Sequence, residues 1–162
     1  MKKGQAAMEF LMTYGWAILV VIAAIAALAY FGVLDPARLL PERCQFPAGM
    51  DCIDKASVQT GTLTIALRNN LAFPILVTAA SGTQGGAAVC GGGVQVAVGA
   101  GGALGAIGAG VVVPNNEVFR VELSGCGLTA GDKFDGRISV TYTNQESGLT
   151  NTAVGDVRAR VA

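Results

Sequence analysis

Few side chains in this sequence could carry catalytic chemistry. The 162 residues contain no histidine, so the Ser-His and Cys-His pairs that activate nucleophiles cannot be built. Two pairs of acids stand close in sequence, Asp51 with Asp54 and Asp132 with Asp135, but neither has EF-hand spacing. The second pair lies in AGDKFDG, which is typical of a turn between strands. We therefore expect solvated loop acids, no metal site and no enzymatic activity.

The four cysteines are the residues best suited to covalent chemistry. Cys44, Cys52, Cys90 and Cys126 allow three disulfide connectivities. The short separation of Cys44 and Cys52 favours that pair, which leaves Cys90 with Cys126. A zinc site needs tighter pairs or histidines, and free buried thiols are the alternative to disulfides. Disulfides are typical of a domain exported to an oxidising exterior, where losing one costs about 2 to 5 kcal/mol.

Composition excludes two further classes of partner. Eleven basic and eleven acidic residues give a net charge of zero without a basic stripe, so we expect no nucleic-acid partner. Residues 82–110 are rich in glycine, but they contain neither a P-loop nor a G-x-G-x-x-G spacing. We therefore expect no nucleotide and no other cofactor. This stretch predicts either short strands with tight turns or a flexible surface loop.

The N-terminal stretch is long and apolar. Residues 10–34 contain no charged side chain, and Glu9 stands immediately before them. A helix of this length spans roughly 35 to 40 Å, enough to cross a bilayer core of about 30 Å. Lys2 and Lys3 form a basic flank that favours a cytoplasmic N-terminus. A secretory signal peptide has a shorter apolar core, whereas a plain membrane anchor fits the length but leaves Glu9 unexplained.

Residues 4–10 read GQAAMEF and carry a family resemblance. Followed by an apolar helix, they resemble the processing site of archaeal type IV pilin-like proteins with a class III signal peptide. The resemblance implies that a membrane prepilin peptidase cuts between Gly4 and Gln5, removing a leader of residues 1–4. Glu9 would then be the fifth mature residue. The family usually has a serine where this chain has Ala7.

The resemblance also implies partners and a location. The helix, residues 5–40, would wait in the lipid bilayer and then be drawn by a membrane assembly platform into a filament of identical subunits. Cleavage would create a new α-amine at Gln5, cationic below a pKa of about 8. Pairing of this amine with Glu9 of a neighbouring copy would fix the register between helices. The alternative role of Glu9 is interaction with the helix macrodipole alone.

Beyond residue 57 the apolar pattern has a period of two. Apolar residues alternate with polar ones in several runs, the clearest being Leu63–Ile65–Leu67, Phe119–Val121–Leu123, Ile138–Val140–Tyr142 and Val157–Ala159–Val161. Gly and Asn turns separate these runs, which is typical of an antiparallel sandwich. We therefore predict an α+β fold: a long apolar helix, a disulfide-stapled linker at residues 41–56, and a β-sandwich head at residues 57–162. The resemblance implies the same head architecture.

Three classes of function follow from this organisation. The first is the structural subunit of a type IV pilus-like surface filament, serving in adhesion or attachment. The second is a membrane-tethered extracellular binding module, with a minor pseudopilin of a secretion or uptake machine lying between the two. The third, an anchored enzyme, is disfavoured by the missing catalytic groups. We expect a single-pass membrane protein before assembly and an extracellular filament afterwards.

Overall fold

The computed structural model describes residues 2–31 and 41–162. The chain divides into two compact units, Met1–Leu40 and Pro41–Ala162. The predicted helix at residues 5–40 is therefore described only as far as residue 31, and Met1 of the predicted leader also lies outside the described residues.

The described part of the first unit is one helix, α1, at Lys2–Tyr30. Alanine, leucine and methionine favour the helical state, and no proline interrupts it. Gly4 and Gln5 lie near its start, where the first amide groups have no helical partner. The segment Met8–Tyr30 is 23 residues long and apolar enough to cross a membrane.

The second unit, which we call the head, is built of β-strands. Their bounds are β1 Arg43–Gln45, β2 Met50–Cys52, β3 Ser57–Gln59, β4 Thr62–Asn69, β5 Ile75–Gln84, β6 Ala87–Ala88, β7 Val94–Val98, β8 Gly105–Ala106, β9 Val111–Val113, β10 Val118–Ser124, β11 Lys133–Asn144 and β12 Thr150–Arg160. The predicted α+β architecture, an apolar helix followed by an antiparallel β-sandwich, is confirmed.

The strands form two antiparallel sheets. Sheet A has the order β1-β12-β11-β5-β6, with β9 also pairing with β5. Sheet B has the order β2-β4-β10-β7-β8, with β3 also pairing with β4. The outermost strands are only two or three residues long, which limits the backbone that each sheet edge offers to another chain.

The alternating apolar residues fill the space between the sheets. The predicted inward residues of β4, β10 and β12 are all buried, as are Ile138 and Val140 of β11. The largest fully buried side chains are Phe119, Phe134, Met50, Leu63, Ile65, Leu67, Ile75 and Ile138. Strand β11 pairs with β12 from Lys133↔Arg160 to Thr143↔Thr150, and this long hairpin forms the main part of sheet A.

Residues 41–56, expected to be a linker, form part of the head. Within them β1 pairs with β12 of sheet A, whereas β2 pairs with β4 of sheet B. The Cys44–Cys52 disulfide joins these two strands and therefore links the sheets. Phe46 lies between the cysteines and occupies the space beside Gly155 of β12. The boundary between the units consequently lies at Pro41.

The glycine-rich stretch consists of short strands and tight turns, the first of the two predicted alternatives. It includes β6, β7 and β8, and its turns use several glycines at positive φ. Residues 99–102 are held over the outer face of sheet B, because Arg120 Nη2 donates a 2.6 Å hydrogen bond to the Gly102 carbonyl. Ala97, the register partner of Arg120 on the neighbouring strand, is buried although it lies on the face of sheet B that points away from the core.

Candidate functional site

The most unusual surface of the described chain is the apolar face of α1. All described side chains from Met8 to Phe31 are exposed in the single chain, including Trp16 at 72%. Soluble monomers rarely leave an apolar surface of this extent uncovered. A lipid bilayer or other apolar helices would supply the missing cover.

One side of α1 carries a wholly apolar groove. The rings of Phe10 and Tyr14, one helical turn apart, lie with their centroids 4.5 Å from each other. Ala17 follows on the same side, and its small side chain leaves a depression between the rings and Ile18. The depression measures about 370 Å³, and its other walls are Val21 and Ile22. A groove of this shape suits the side chains of a packed helix.

Glu9 is the acid at the start of this apolar surface, as the sequence indicated. It is exposed, and its backbone carbonyl accepts a 2.8 Å hydrogen bond from Thr13 Oγ1. The hydroxyl of Thr13 is thus satisfied within the helix, which lowers the cost of placing it among apolar residues. Glu9 is the one side chain among Asp, Glu, Lys and Arg in the segment Met8–Tyr30.

The processing residues predicted from the sequence lie in the helix ahead of Glu9. Lys2, Lys3, Gly4 and Gln5 all belong to α1, so the bond between Gly4 and Gln5 is in the helical state. The first turn of a helix opens readily because its amide groups lack helical partners. A peptidase would therefore need only local unfolding to reach this bond.

Both expected disulfides are formed. Cys44 is bonded to Cys52 and Cys90 to Cys126, and the described residues include no free cysteine. The second bond joins the chain ahead of β7 to the end of β10, where Cys90 and Cys126 form an isolated antiparallel bridge. These bonds are structural links within the head, and they suit an oxidising compartment.

The outer face of sheet A divides into a charged half and a hydroxyl half. In the charged half, Arg158 donates to Asp135 at 2.7 Å and 3.0 Å, and Arg137 pairs with Asp156 at 3.3 Å. In the hydroxyl half, three cross-strand pairs lie 2.7 to 3.2 Å apart: Ser81 with Ser139, Thr141 with Thr152, and Thr143 with Thr150. The side chains of this face therefore bond mainly to one another.

The charged half was not predicted from the sequence. Asp135, predicted to be a loop acid, is in β11, because the strand begins at Lys133. The signal was present as alternating charges in DKFDGR and GDVRAR, but pairing these runs required knowledge of the hairpin register. Asp51 likewise lies in β2 and accepts a hydrogen bond from Asn70 Nδ2.

The depressions on the head are open to solvent and do not have the form of a ligand pocket. Two shallow depressions on the charged half measure about 210 Å³ and 340 Å³ and are lined mostly by paired charges and glycine. Ligand sites are more often deep and largely apolar. Within residues 2–31 and 41–162, no group of three acids, cysteines or histidines could hold a metal ion.

Comparisons with known proteins add no family assignment. No protein-family model matches the chain, and no curated protein matches it. Among solved structures, it is similar to a family 123 glycoside hydrolase from Clostridium perfringens studied for glycolipid glycan hydrolysis, with a TM-score of 0.32 and 8% identity. That similarity covers 75% of this chain and 27% of the hydrolase, and it carries no inference about function.

Proposed function

We propose that this protein is the structural subunit of a type IV pilus-like surface filament. The observation that carries the proposal is the exposed apolar helix Met8–Tyr30 with a single acid, Glu9, at its start, directly after the Gly4-Gln5 pair. A plain anchor accounts for the apolar length, but not for an acid and a processing motif in this order. In this proposal the protein has no catalytic role.

The assembly step follows from the chemistry of the helix. Removal of residues 1–4 exposes a cationic amine at Gln5, four residues before the Glu9 carboxylate. In a bundle of copies both charges lose part of their hydration, and each is stabilised by the opposite charge of a neighbour. The groove from Phe10 to Ile22 supplies the apolar contact, and the charge pair selects one axial register.

The head suits the outer shell of such a filament. Its two disulfides resist unfolding in an oxidising exterior, and its outer sheet A face carries paired charges and hydroxyls that remain solvated. Adhesion or surface attachment is the role we propose for this shell.

N-terminal sequencing of the protein from its native envelope tests this function. We expect molecules that begin at Gln5 and that are released as long particles when cells are sheared. Molecules that begin at Met1 and stay dispersed in the membrane would instead indicate a tethered binding module. Loss of the whole apolar stretch would indicate a secretory signal peptide and would also overturn the proposal.

A further inference from the structure

One edge of strand β12 is covered along only part of its length. On one side β12 pairs with β11 from end to end. On the other side β1 pairs with Asp156, Val157 and Arg158. The short β1 offers little backbone of its own, but its shortness leaves residues 150–155 of β12 without a strand on that side among the described residues. We call residues 150–155 the open edge.

The backbone groups of the open edge point outward at alternate residues. The Thr141 carbonyl accepts a 3.3 Å hydrogen bond from Thr78 Oγ1 of β5, so it points away from β12. Thr141 lies opposite Thr152, and in an antiparallel ladder both residues of such a pair turn their N–H and C=O groups away from each other. By the same alternation the backbone groups of Thr150, Thr152 and Val154 point away from β11. All three residues are exposed.

The open edge lacks the features that usually protect an edge strand. Proteins guard such edges with charged side chains, especially lysine, or with proline. Residues 150–155 read TNTAVG and contain neither. The charged residues of β12 begin at Asp156, where β1 covers the strand. A second strand can therefore approach the open edge without meeting a like charge.

We infer that the open edge pairs antiparallel with the open edge of a second copy of this chain. The occupant is argued from self-complementarity. When Thr152 of one copy lies opposite Thr152 of the other, Thr150 of each copy lies opposite Val154 of the other. Each of these pairs then exchanges both of its N–H···O bonds, so one register satisfies every outward-pointing backbone group of the three residues.

The length of the open edge also fits a second copy. A pairing strand must end beside Gly155, because β1 occupies the edge from Asp156 onward. In the inferred register the strand of the second copy reaches this point at its residue 149, just before β12 begins. There the Asn144 N to Leu149 O hydrogen bond closes the turn, which leads the chain back into β11. A peptide that continued in an extended conformation would instead meet β1.

The inferred contact joins copies in pairs. It is isologous, because both copies use the same residues, and it closes on itself. Heads tethered in a membrane could pair in this way, so the contact goes beyond the proposed filament and does not require it. Subunits of one filament all point the same way and cannot be related by this two-fold axis. If the filament forms, the contact would therefore hold two filaments side by side.

Cysteine cross-linking of the full chain in cells tests the pairing, because the described residues include no free cysteine. Thr152→Cys brings two thiols together across the two-fold axis, with Cα atoms about 5.5 Å apart, which a disulfide can span. Thr150→Cys is the matched control. Like Thr152, Thr150 is exposed and bonds to a threonine of β11 on the same face. Its Cα atoms in the two copies would lie about 14 Å apart, too far for a disulfide.

We expect a disulfide-linked dimer from T152C, with a yield several-fold above that from T150C. One molar salt should not reduce it, because residues 150–155 carry no charge. The double variant T150C/V154C should also form the dimer, whereas V154C alone should not. No dimer from T152C, or an equal yield from T150C, would overturn the inference.

A proline variant tests whether the backbone makes the contact. Val154→Pro, added to T152C, removes an outward-pointing N–H and no bond to β11, so the head should still fold and the dimer should be lost. Val154→Ala is the control that keeps the N–H and the dimer. A dimer that persists with V154P would overturn the inference.

Dimers are scored separately in sheared particles and in membranes. Filaments without the dimer contradict only the pairing of heads, whereas the dimer in membranes without filaments contradicts only the proposed filament.

Discussion

Phe46 fills the space in which a β-carbon on Gly155 would lie. This contact holds the disulfide-closed segment on β12 and explains why a glycine is present in the middle of a long strand. Phe46 lies between Cys44 and Cys52 in the sequence, so side-chain packing and a covalent bond fix the same short segment.

Gly155→Ala should lower the free energy of unfolding by about 1 to 3 kcal/mol, because the added methyl group overpacks against the Phe46 ring. Denaturant unfolding measures the change. Gly127→Ala is the matched control, since a β-carbon there meets no atom within 4 Å. If overpacking is the cause, adding Phe46→Leu to Gly155→Ala should cost less than the sum of the two single changes.

The two disulfides should differ in their contribution to stability. Cys44–Cys52 closes a separation of 8 residues and Cys90–Cys126 one of 36. Loop-closure entropy predicts about 2.5 kcal/mol for the shorter loop and about 4 kcal/mol for the longer one. Replacing each pair with alanine and measuring unfolding in denaturant tests this order. Equal losses in the free energy of unfolding would show that strain in the folded state, or residual structure in the unfolded chain, outweighs the effect of loop length.

Asn69 is a buried polar side chain whose amide is fully used. Its Nδ2 donates to Phe73 O at 3.1 Å and to Pro114 O at 3.0 Å, while its Oδ1 accepts from Leu71 N. Asn69→Ala should destabilise the head by about 1 to 3 kcal/mol, because buried carbonyls lose their donor. Thermal unfolding measures the change. The neighbouring Asn70→Ala is the control, since Asn70 is exposed and its replacement should change the free energy of unfolding by less than about 0.5 kcal/mol.

Arg120 should control the mobility of the glycine-rich segment. Arg120→Ala removes the hydrogen bond to Gly102 O and should raise amide exchange at residues 99–102 by roughly tenfold, because that bond closes the segment over β7. Hydrogen–deuterium exchange with mass spectrometry measures the change. Arg68→Ala, on the exposed part of β4, should leave these amides protected. Unchanged exchange in R120A would show that the segment is held by its backbone turns alone.

Glu9→Gln should abolish or strongly reduce filaments under the proposed function, because the neutral amide cannot stabilise a neighbouring amine. The amount of protein in sheared particles measures the effect, and immunoblotting of membranes confirms that the subunit is made. Thr13→Ala is the control in the same helix, since its hydroxyl bonds only to the Glu9 carbonyl. Normal filaments from E9Q would exclude the register role.

Alternation of apolar residues was sufficient to predict the main strands, because a half-buried strand imposes a period of two. It predicted the inward residues of β4, such as Leu63 and Ile65, which are buried. The Asn turn predicted after the Leu63–Ile65–Leu67 run begins with Asn69, yet Asn69 ends β4 and is buried, since its side chain donates to carbonyls of distant turns. The burial of Ala97 was not predicted, because it lies on the face of β7 that points away from the core, where alternation predicts exposure.

The candidate site was predictable to a different extent in the two units. Glu9 and the apolar run were evident because a membrane-length segment consists of consecutive apolar residues and can be recognised without knowledge of the fold. The pairing of Asp135 with Arg158 was not evident from the sequence. It depends on the register of the β11–β12 hairpin, and the residues of the connecting turn are compatible with more than one register. β1 and β2 were missed because three residues are too few to show a period.

The covalent link between β1 and β2 has a mechanical consequence. A pulling force transmitted through the residues that precede Pro41 reaches the head first at β1, which is hydrogen-bonded to β12. The Cys44–Cys52 bond passes part of that tension directly to the opposite layer, through β2 and β4. Tension that enters the head at β1 is thereby shared by sheet A and sheet B.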